Sequence, residues 1–219
     1  MLQVLISAVF SMLLLVGCGG PRYIDYFPYH DDGTPKPRVA VMPIIDSSQS
    51  GLTWDVSKEL SDELYYSLMD SGQLYVLSPS EMGTNYPHPS DLFGSDLTVT
   101  REVCNTDFIV ALELIDHSVV PCTQADSQVN SKGVYHPFNN VVNLSMRVRV
   151  IDVRRQTPRV ILYEVLKCGY VITPSNNGID YSTVCYGSNE FVKTPYGIAH
   201  QRMTKNLSTR LEGIIQSTR

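Results

Sequence analysis

Three things are missing from this 219-residue sequence, and each absence removes a class of function. No apolar run reaches the roughly 20 residues that a membrane-spanning helix needs, since Val4–Ile6 and Val9–Val16 make only a short apolar core. There is no basic excess: 17 Lys and Arg face 22 Asp and Glu, for a net charge of -5, with no basic stripe to neutralise phosphates. Nucleic acid is therefore excluded as a partner. Catalytic signatures are also absent: no GxSxG elbow, no HExxH pair and no phosphate-cradling glycine loop ending in Lys-Ser or Lys-Thr. The five histidines, His30, His88, His117, His136 and His200, are scattered, and none of the five cysteines has CxxC or zinc-ligand spacing. These patterns predict no metal, no cofactor and no enzymatic activity. One catalytic arrangement stays conceivable on paper, an acid-base pair of Asp116 and His117 with His136, provided the chain after His117 folds back over it.

What is present begins at the N-terminus. The first 18 residues carry no charged side chain, and Gly19, Gly20 and Pro21 would break a helix immediately afterwards. A processed export signal fits better than a buried helix. Its end, Leu15-Val16-Gly17-Cys18, resembles the lipobox of bacterial lipoproteins, in which the cysteine thiol receives diacylglycerol and becomes the first residue. The resemblance implies a signal peptide over residues 1–17, lipidation at Cys18 and a membrane partner held through that lipid. It departs from the usual pattern in having no Lys or Arg ahead of the apolar core. Gly19, where inner-membrane retention would call for Asp, implies sorting to the outer membrane with the domain facing the periplasm.

Residues 18–37 hold Pro21, Pro28, Pro35 and Pro37 with Gly33, and read as a tether spanning on the order of 25 Å, or up to ~60 Å if polyproline-like. Tyr23, Tyr26, Phe27 and Tyr29 are too many for a plain spacer. They either pack on the domain or sit at the lipid interface.

Residues 38–219 are long enough for one domain that buries about 70% of its unfolded surface. RVAVMPII over Arg38–Ile45 predicts a buried strand with Pro43 near its end. Thr53 is placed to cap a following helix, with Asp55 in its first turn; Val56, Leu60, Leu64 and Leu68 form the apolar stripe and Gly72 closes it. A strand at Leu74–Leu77 precedes a capping box, Ser78 to Glu81 with Pro79 at the first helical position, which predicts a short helix. Gly83–Ser95 reads as loop and Asp96–Cys104 as another short helix. The apolar run Asp107–Asp116 suits a central strand. Alternation from Val142 to Val150 gives a strand with one wet face, and Pro158–Ile172 gives the next, joined by an Arg154–Thr157 turn. The last helix runs from about Tyr196 to Gln216, with Met203, Leu207, Leu211, Ile214 and Ile215 inward. The expected fold is α/β: a mixed sheet of about five strands packed by two long helices. Two polar excursions, Val119–Asn140 and Thr173–Ser188, interrupt it.

The order and wording of VAVMPI, SKELSDELYYSLMDSG, LYVLSPSEM, TDFIVALEL and VRVIDVRRQTPRVILYE are similar to a periplasmic domain. That domain is shared by the curli secretion channel lipoprotein, the lipoprotein activators of penicillin-binding proteins and the N-terminal domain of TolB. The resemblance implies a protein-binding or regulatory adaptor in the envelope, with an unidentified envelope protein as partner. The alternative it implies is a subunit of an oligomeric outer-membrane secretion channel. The excursions lack the ten-residue alternating strands of a barrel, which favours a monomeric adaptor.

If the last three strands run antiparallel, Cys122, Cys168 and Cys185 fall at one end of the sheet and Cys104 at the other. A disulfide Cys122–Cys185, or one joining either to Cys168, would then staple the excursions; four free thiols are the other reading. Arg147 and Arg149 on the wet face are either solvated or binding residues for an acidic protein partner.

Overall fold

The computed structural model describes residues 26–52, 54–82, 87–103, 105–121, 140–172, 188 and 190–218. Six strands form one mixed sheet: β1 (Arg38–Val41), β2 (Ile45–Asp46), β3 (Tyr75–Val76), β4 (Phe108–Pro121), β5 (Asn140–Asp152) and β6 (Arg159–Ile172). Their order across the sheet is β3-β1-β4-β5-β6, with β2 also paired to β4. The β1–β3, β1–β4 and β2–β4 ladders are parallel; β4–β5 and β5–β6 are antiparallel. One strand expected over Arg38–Ile45 is thus two, both lying along β4. Pro43 has no N–H to give a ladder, so pairing lapses there and resumes two residues on.

Both helices lie on the same face of the sheet. Helix α1 (Val56–Asp70) begins one position after Asp55, whose carboxylate accepts from the Lys58 N–H at 2.9 Å. Asp55 is therefore the cap itself and not a first-turn residue, and Thr53 lies outside the described residues. Gly72 follows the helix at φ +65°, the left-handed geometry that stops a helix. Helix α2 (Pro195–Ser217) starts from Thr194, whose hydroxyl accepts from Gly197 N–H at 3.1 Å, with Pro195 at the first position, where no N–H is needed. Between helices and sheet, Leu60, Leu64 and Leu68 of α1 and Met203, Leu207, Leu211 and Ile215 of α2 are fully buried against Val110, Leu112, Met146 and Val148. The opposite face has a smaller core, Ala40, Met42, Leu92, Ile109 and Ile151. It lies beneath two 3-10 helices, Pro89–Phe93 and Thr98–Glu102.

Two local expectations are revised. Pro89–Phe93 is a 3-10 turn where loop was expected. After Ser78 the described chain makes a turn and no helix. Glu81 does reach back to the Ser78 N–H (2.8 Å), but the Ser78 hydroxyl donates to that same carboxylate, and so does the Tyr75 hydroxyl (2.5 Å). The Glu81 N–H that the hydroxyl would cap donates instead to the Ser78 carbonyl at 3.0 Å.

Residues Tyr26–Pro37 fold back as a small hairpin. Lys36 N–H donates to Pro28 O, His30 N–H to Thr34 O, and Gly33 turns the chain at φ +80°. Lys36 is buried, whereas Tyr26, Phe27 and Tyr29 are exposed. Tyr26, Phe27 and Tyr29 thus keep most of their surface outside the core.

Gly197 makes a sharp steric prediction. An added Cβ would penetrate Phe191 O and Val192 Cα, which are backbone and cannot swing aside. Alanine normally favours a helix over glycine by up to ~1 kcal/mol, yet Gly197→Ala should lower unfolding free energy by about 1–3 kcal/mol in urea titrations, because overpacking outweighs propensity.

Candidate functional site

The strongest polar constellation lies inside the domain, between the sheet and the helices. On the stripe of α1 that otherwise holds Val56, Leu60 and Leu64 sits Glu59, wholly buried. On the corresponding stripe of α2, one turn before Met203, sits His200, also wholly buried. The third member comes from β4 through a β-bulge. Leu114 pairs with Met146 but Asp116 pairs with Ser145, so Ile115 is the extra residue. Unbulged alternation would aim Asp116 at the helices; the bulge aims His117 there, opposite Leu144.

These residues form one chain of hydrogen bonds. Trp54 Nε1–H donates to Glu59 Oε2 at 2.7 Å, Glu59 Oε1 meets His200 Nδ1 at 2.7 Å, and His200 Nε2 meets His117 Nε2 at 2.9 Å. One proton lies between Glu59 and His200 and one between the two imidazoles. Aromatic rings close over the chain: Tyr196 stacks on His117 (5.6 Å between centroids, 6° between planes), and Phe191 stands edge-on to Trp54 at 5.5 Å. Burial, reinforced by the charge of His200, lowers the His117 pKa to about 4, so its imidazole is neutral at pH 7.

A carboxylate orienting an imidazole is also the arrangement of an acid-base catalyst. Here the carboxylate and the first imidazole are at 0% exposure and His117 at 5%, and the array ties together α1, β4 and α2. A chain of fully paired polar groups in a dry core specifies how its three elements dock.

His117 was expected to have Asp116 and His136 for company. The bulge directs Asp116 to the other face, and His136 lies outside the described residues. Nothing in the spacing of His117, His200 and Glu59 connects them. The signal that does is positional, since a Glu and a His each interrupt an otherwise apolar helical stripe.

The sheet face turned away from the helices is a second region of interest. Beyond the smaller core it carries Glu113 of β4, Arg147 and Arg149 of β5, and Tyr163, Val165 and Lys167 of β6. Tyr163 is 62% and Val165 44% exposed. Arg149 Nη1 donates to Leu92 O at 2.7 Å and Gly94 O at 2.6 Å, fastening the first 3-10 helix to the sheet, and its guanidinium lies 5.9 Å from the Tyr163 ring centre. Arg147 pairs with Glu113 at 2.7 Å and remains partly exposed. Of the two arginines, Arg147 is thus the more available to a partner.

Among the cysteines, Cys168 is a free thiol, half-buried on the helix side of β6, where burial raises its pKa. Cys18, Cys104, Cys122 and Cys185 lie outside the described residues. The strand directions put the ends of β4 and β6 at the same end of the sheet, on either side of β5, with Pro121 opposite Asn140 and Asn140 opposite Ile172. No three His, Cys, Asp or Glu side chains among the described residues gather as a metal site.

With this geometry in hand, the family model for a family of unknown function, DUF7499, matches residues 25–219. The chain belongs to that family. No curated protein matches it. Among solved structures, the hypothetical protein CT253 from Chlamydia trachomatis is similar, with 22% identity and a TM-score of 0.65 over 82% of this chain and 98% of that one. That likeness shows a shared fold. Lipoprotein GNA1162 from Neisseria meningitidis is 12% identical with a TM-score of 0.40 over 67% of this chain and 88% of that one. Protein XCC0632 from Xanthomonas campestris, a DUF330 protein, is 11% identical with a TM-score of 0.45 over 90% and 98%. The described helices of this DUF7499 member include none long and apolar enough to cross a membrane.

Proposed function

We propose that this protein is an outer-membrane lipoprotein, acylated at Cys18 and facing the periplasm, whose α/β domain is a non-catalytic adaptor that binds or regulates another envelope protein. The observation that carries the reading is the sequence Leu15-Val16-Gly17-Cys18, followed at once by the helix-breaking Gly19-Gly20-Pro21. The similarity of the strand and helix motifs to the periplasmic domain of the curli channel, penicillin-binding-protein activator and TolB group supports a protein-binding role. So does the sheet face bearing Arg147, Tyr163 and Val165, where an arginine beside exposed apolar side chains suits an acidic protein surface. The sealed Glu59–His200–His117 array supports a structural reading of the acid-imidazole pair, because a substrate would have to displace core side chains to reach it. A Cys122–Cys185 disulfide belongs to the same proposal: oxidation outside the cytoplasm would join the segments that follow β4 and β6.

Mass spectrometry of the mature N-terminus should find diacylglycerol on Cys18, and Cys18→Ala should leave an unprocessed precursor. An unmodified, soluble protein beginning at Met1 overturns the anchor. For the adaptor, a photo-crosslinker at Tyr163 in intact cells should give one discrete adduct that Arg147→Glu abolishes. Adducts indifferent to that charge reversal would remove the sheet face from the account.

A further inference from the structure

Resting on the acylation of Cys18, we infer that the hairpin carrying Tyr26, Phe27 and Tyr29 is a second membrane contact, which inserts these aromatic side chains into the lipid interface and sets the orientation of the domain. Their exposures are 62%, 65% and 58%, and three large exposed rings within four residues make the kind of contiguous apolar patch that marks an interaction surface. The hairpin that presents them is built and not slack. Lys36 N–H bonds to Pro28 O, His30 N–H to Thr34 O, Tyr29 bridges Pro35, and the buried Lys36 roots the hairpin in the domain.

Chain length identifies the occupant. From Cys18 to Tyr26 is eight residues, and eight residues fully extended reach on the order of 29 Å. With the acyl chains of Cys18 in the bilayer, Tyr26 cannot stand farther than that from the lipid surface, and Phe27 and Tyr29 follow it directly, so slack in the chain lets all three rings reach the lipid. Tyr and Phe beside a lipid anchor suit the headgroup zone, where an amphipathic ring keeps its hydroxyl wet and its face apolar. Charge argues for the same kind of contact. Asp31 and Asp32 sit at the hairpin tip, with Asp32 holding Thr34, so attraction to anionic headgroups is not the driving force. Contact should be apolar and insensitive to salt. A single acyl anchor leaves the domain free to tumble over the surface; a rigid aromatic foot eight residues away removes most of that freedom and presents one fixed side to the periplasm.

The test uses the full mature, acylated protein carrying Phe27→Trp, reconstituted in phosphatidylethanolamine–phosphatidylglycerol vesicles with brominated acyl chains, with the wild type, which has Trp54 alone, as reference. The added emission should be blue-shifted and largely lost to bromines placed near the headgroups, with no recovery in high salt, while the Trp54 signal is unchanged. An added emission at the wavelength of water-exposed indole overturns the inference. So does a blue shift that bromine leaves untouched, which would mean that protein covers the hairpin. In either case a Cys18 shown by mass to be acylated leaves the lipoprotein reading standing; an unacylated Cys18 removes both.

Discussion

Replacing Glu59 by alanine should cost the domain about 3–5 kcal/mol, a large share of the 5–15 kcal/mol that holds a typical domain together. The size follows from what is left behind. Trp54 Nε1–H and His200 Nδ1 both lose their partner, at a point where Glu59 and His200 have no exposure and water has no access to replace it. The same truncation opens a void between α1 and α2, which adds a cavity cost. Urea titration followed by far-ultraviolet circular dichroism measures the loss, and Trp54 fluorescence should shift already in the native baseline. Glu59→Gln, which keeps the shape and one good hydrogen bond, should lose less. Replacing Glu59 and His200 together by leucine should cost less than the sum of the single changes, since the bond between them is lost once and not counted twice, although Trp54 Nε1–H and His117 Nε2 still lose their partners. A Glu59→Ala loss below ~1 kcal/mol, or strictly additive double variants, would mean that the array contributes nothing to docking the helices.

How legible was this in the sequence? The layers were, because they follow from periodicity. Leucines every fourth residue in α1, strict alternation in β5 and the stripe of α2 each map onto one buried face. What the periodicity conceals is any residue that joins two elements far apart in the chain. Glu59 and His200 are separated by 141 positions, His117 and His200 by 83, and each looks like a flaw in an apolar stripe until the stripes face each other. The bulge at Ile115 is similarly silent. A one-residue slip in a continuous apolar strand leaves no mark in composition, yet it exchanges Asp116 for His117 on the inner face. Pro43 was visible as a residue, but not as the break between β1 and β2, because a proline at a strand end and a proline between two collinear strands read alike. Arg147 and Arg149 do stand on the face turned from the helices, but that face is wet only in part, since Ser145 and Ile151 on it are buried. That Arg149 would be fastened to Leu92 O and Gly94 O needed the 3-10 helix, which no period announces.

Acidification from pH 6.5 to 4 should weaken the domain by about 3 kcal/mol through His117 alone. Its ordinary pKa is 6.5 and burial with the neighbouring His200 charge lowers it to about 4 in the fold. Over that interval the unfolded chain takes up a proton and the folded one does not, so unfolding gains ~1.4 kcal/mol for each pH unit. The stability is fully present above pH 6.5 and is lost as the pH falls to about 4, below which both forms are protonated and the slope ends. Most of this window lies above that of the carboxylates whose pKa values the fold also lowers, which meets it only near pH 4 to 4.5. Asp55, Glu81 and Asp152 are held below their ordinary values of 3.8 to 4.5, by the Lys58 N–H, the Tyr75 hydroxyl and the Arg154 guanidinium respectively, and they act at lower pH. His117→Gln isolates the effect, because an amide can still pair with His200 Nε2 but cannot take up the proton. Urea midpoints measured every half unit from pH 7 to 4 should fall more steeply in the wild type than in His117→Gln, the curves diverging below pH 6.5. Parallel curves would show that the imidazole opposite Leu144 titrates as it does in water, and that the core around it is not dry.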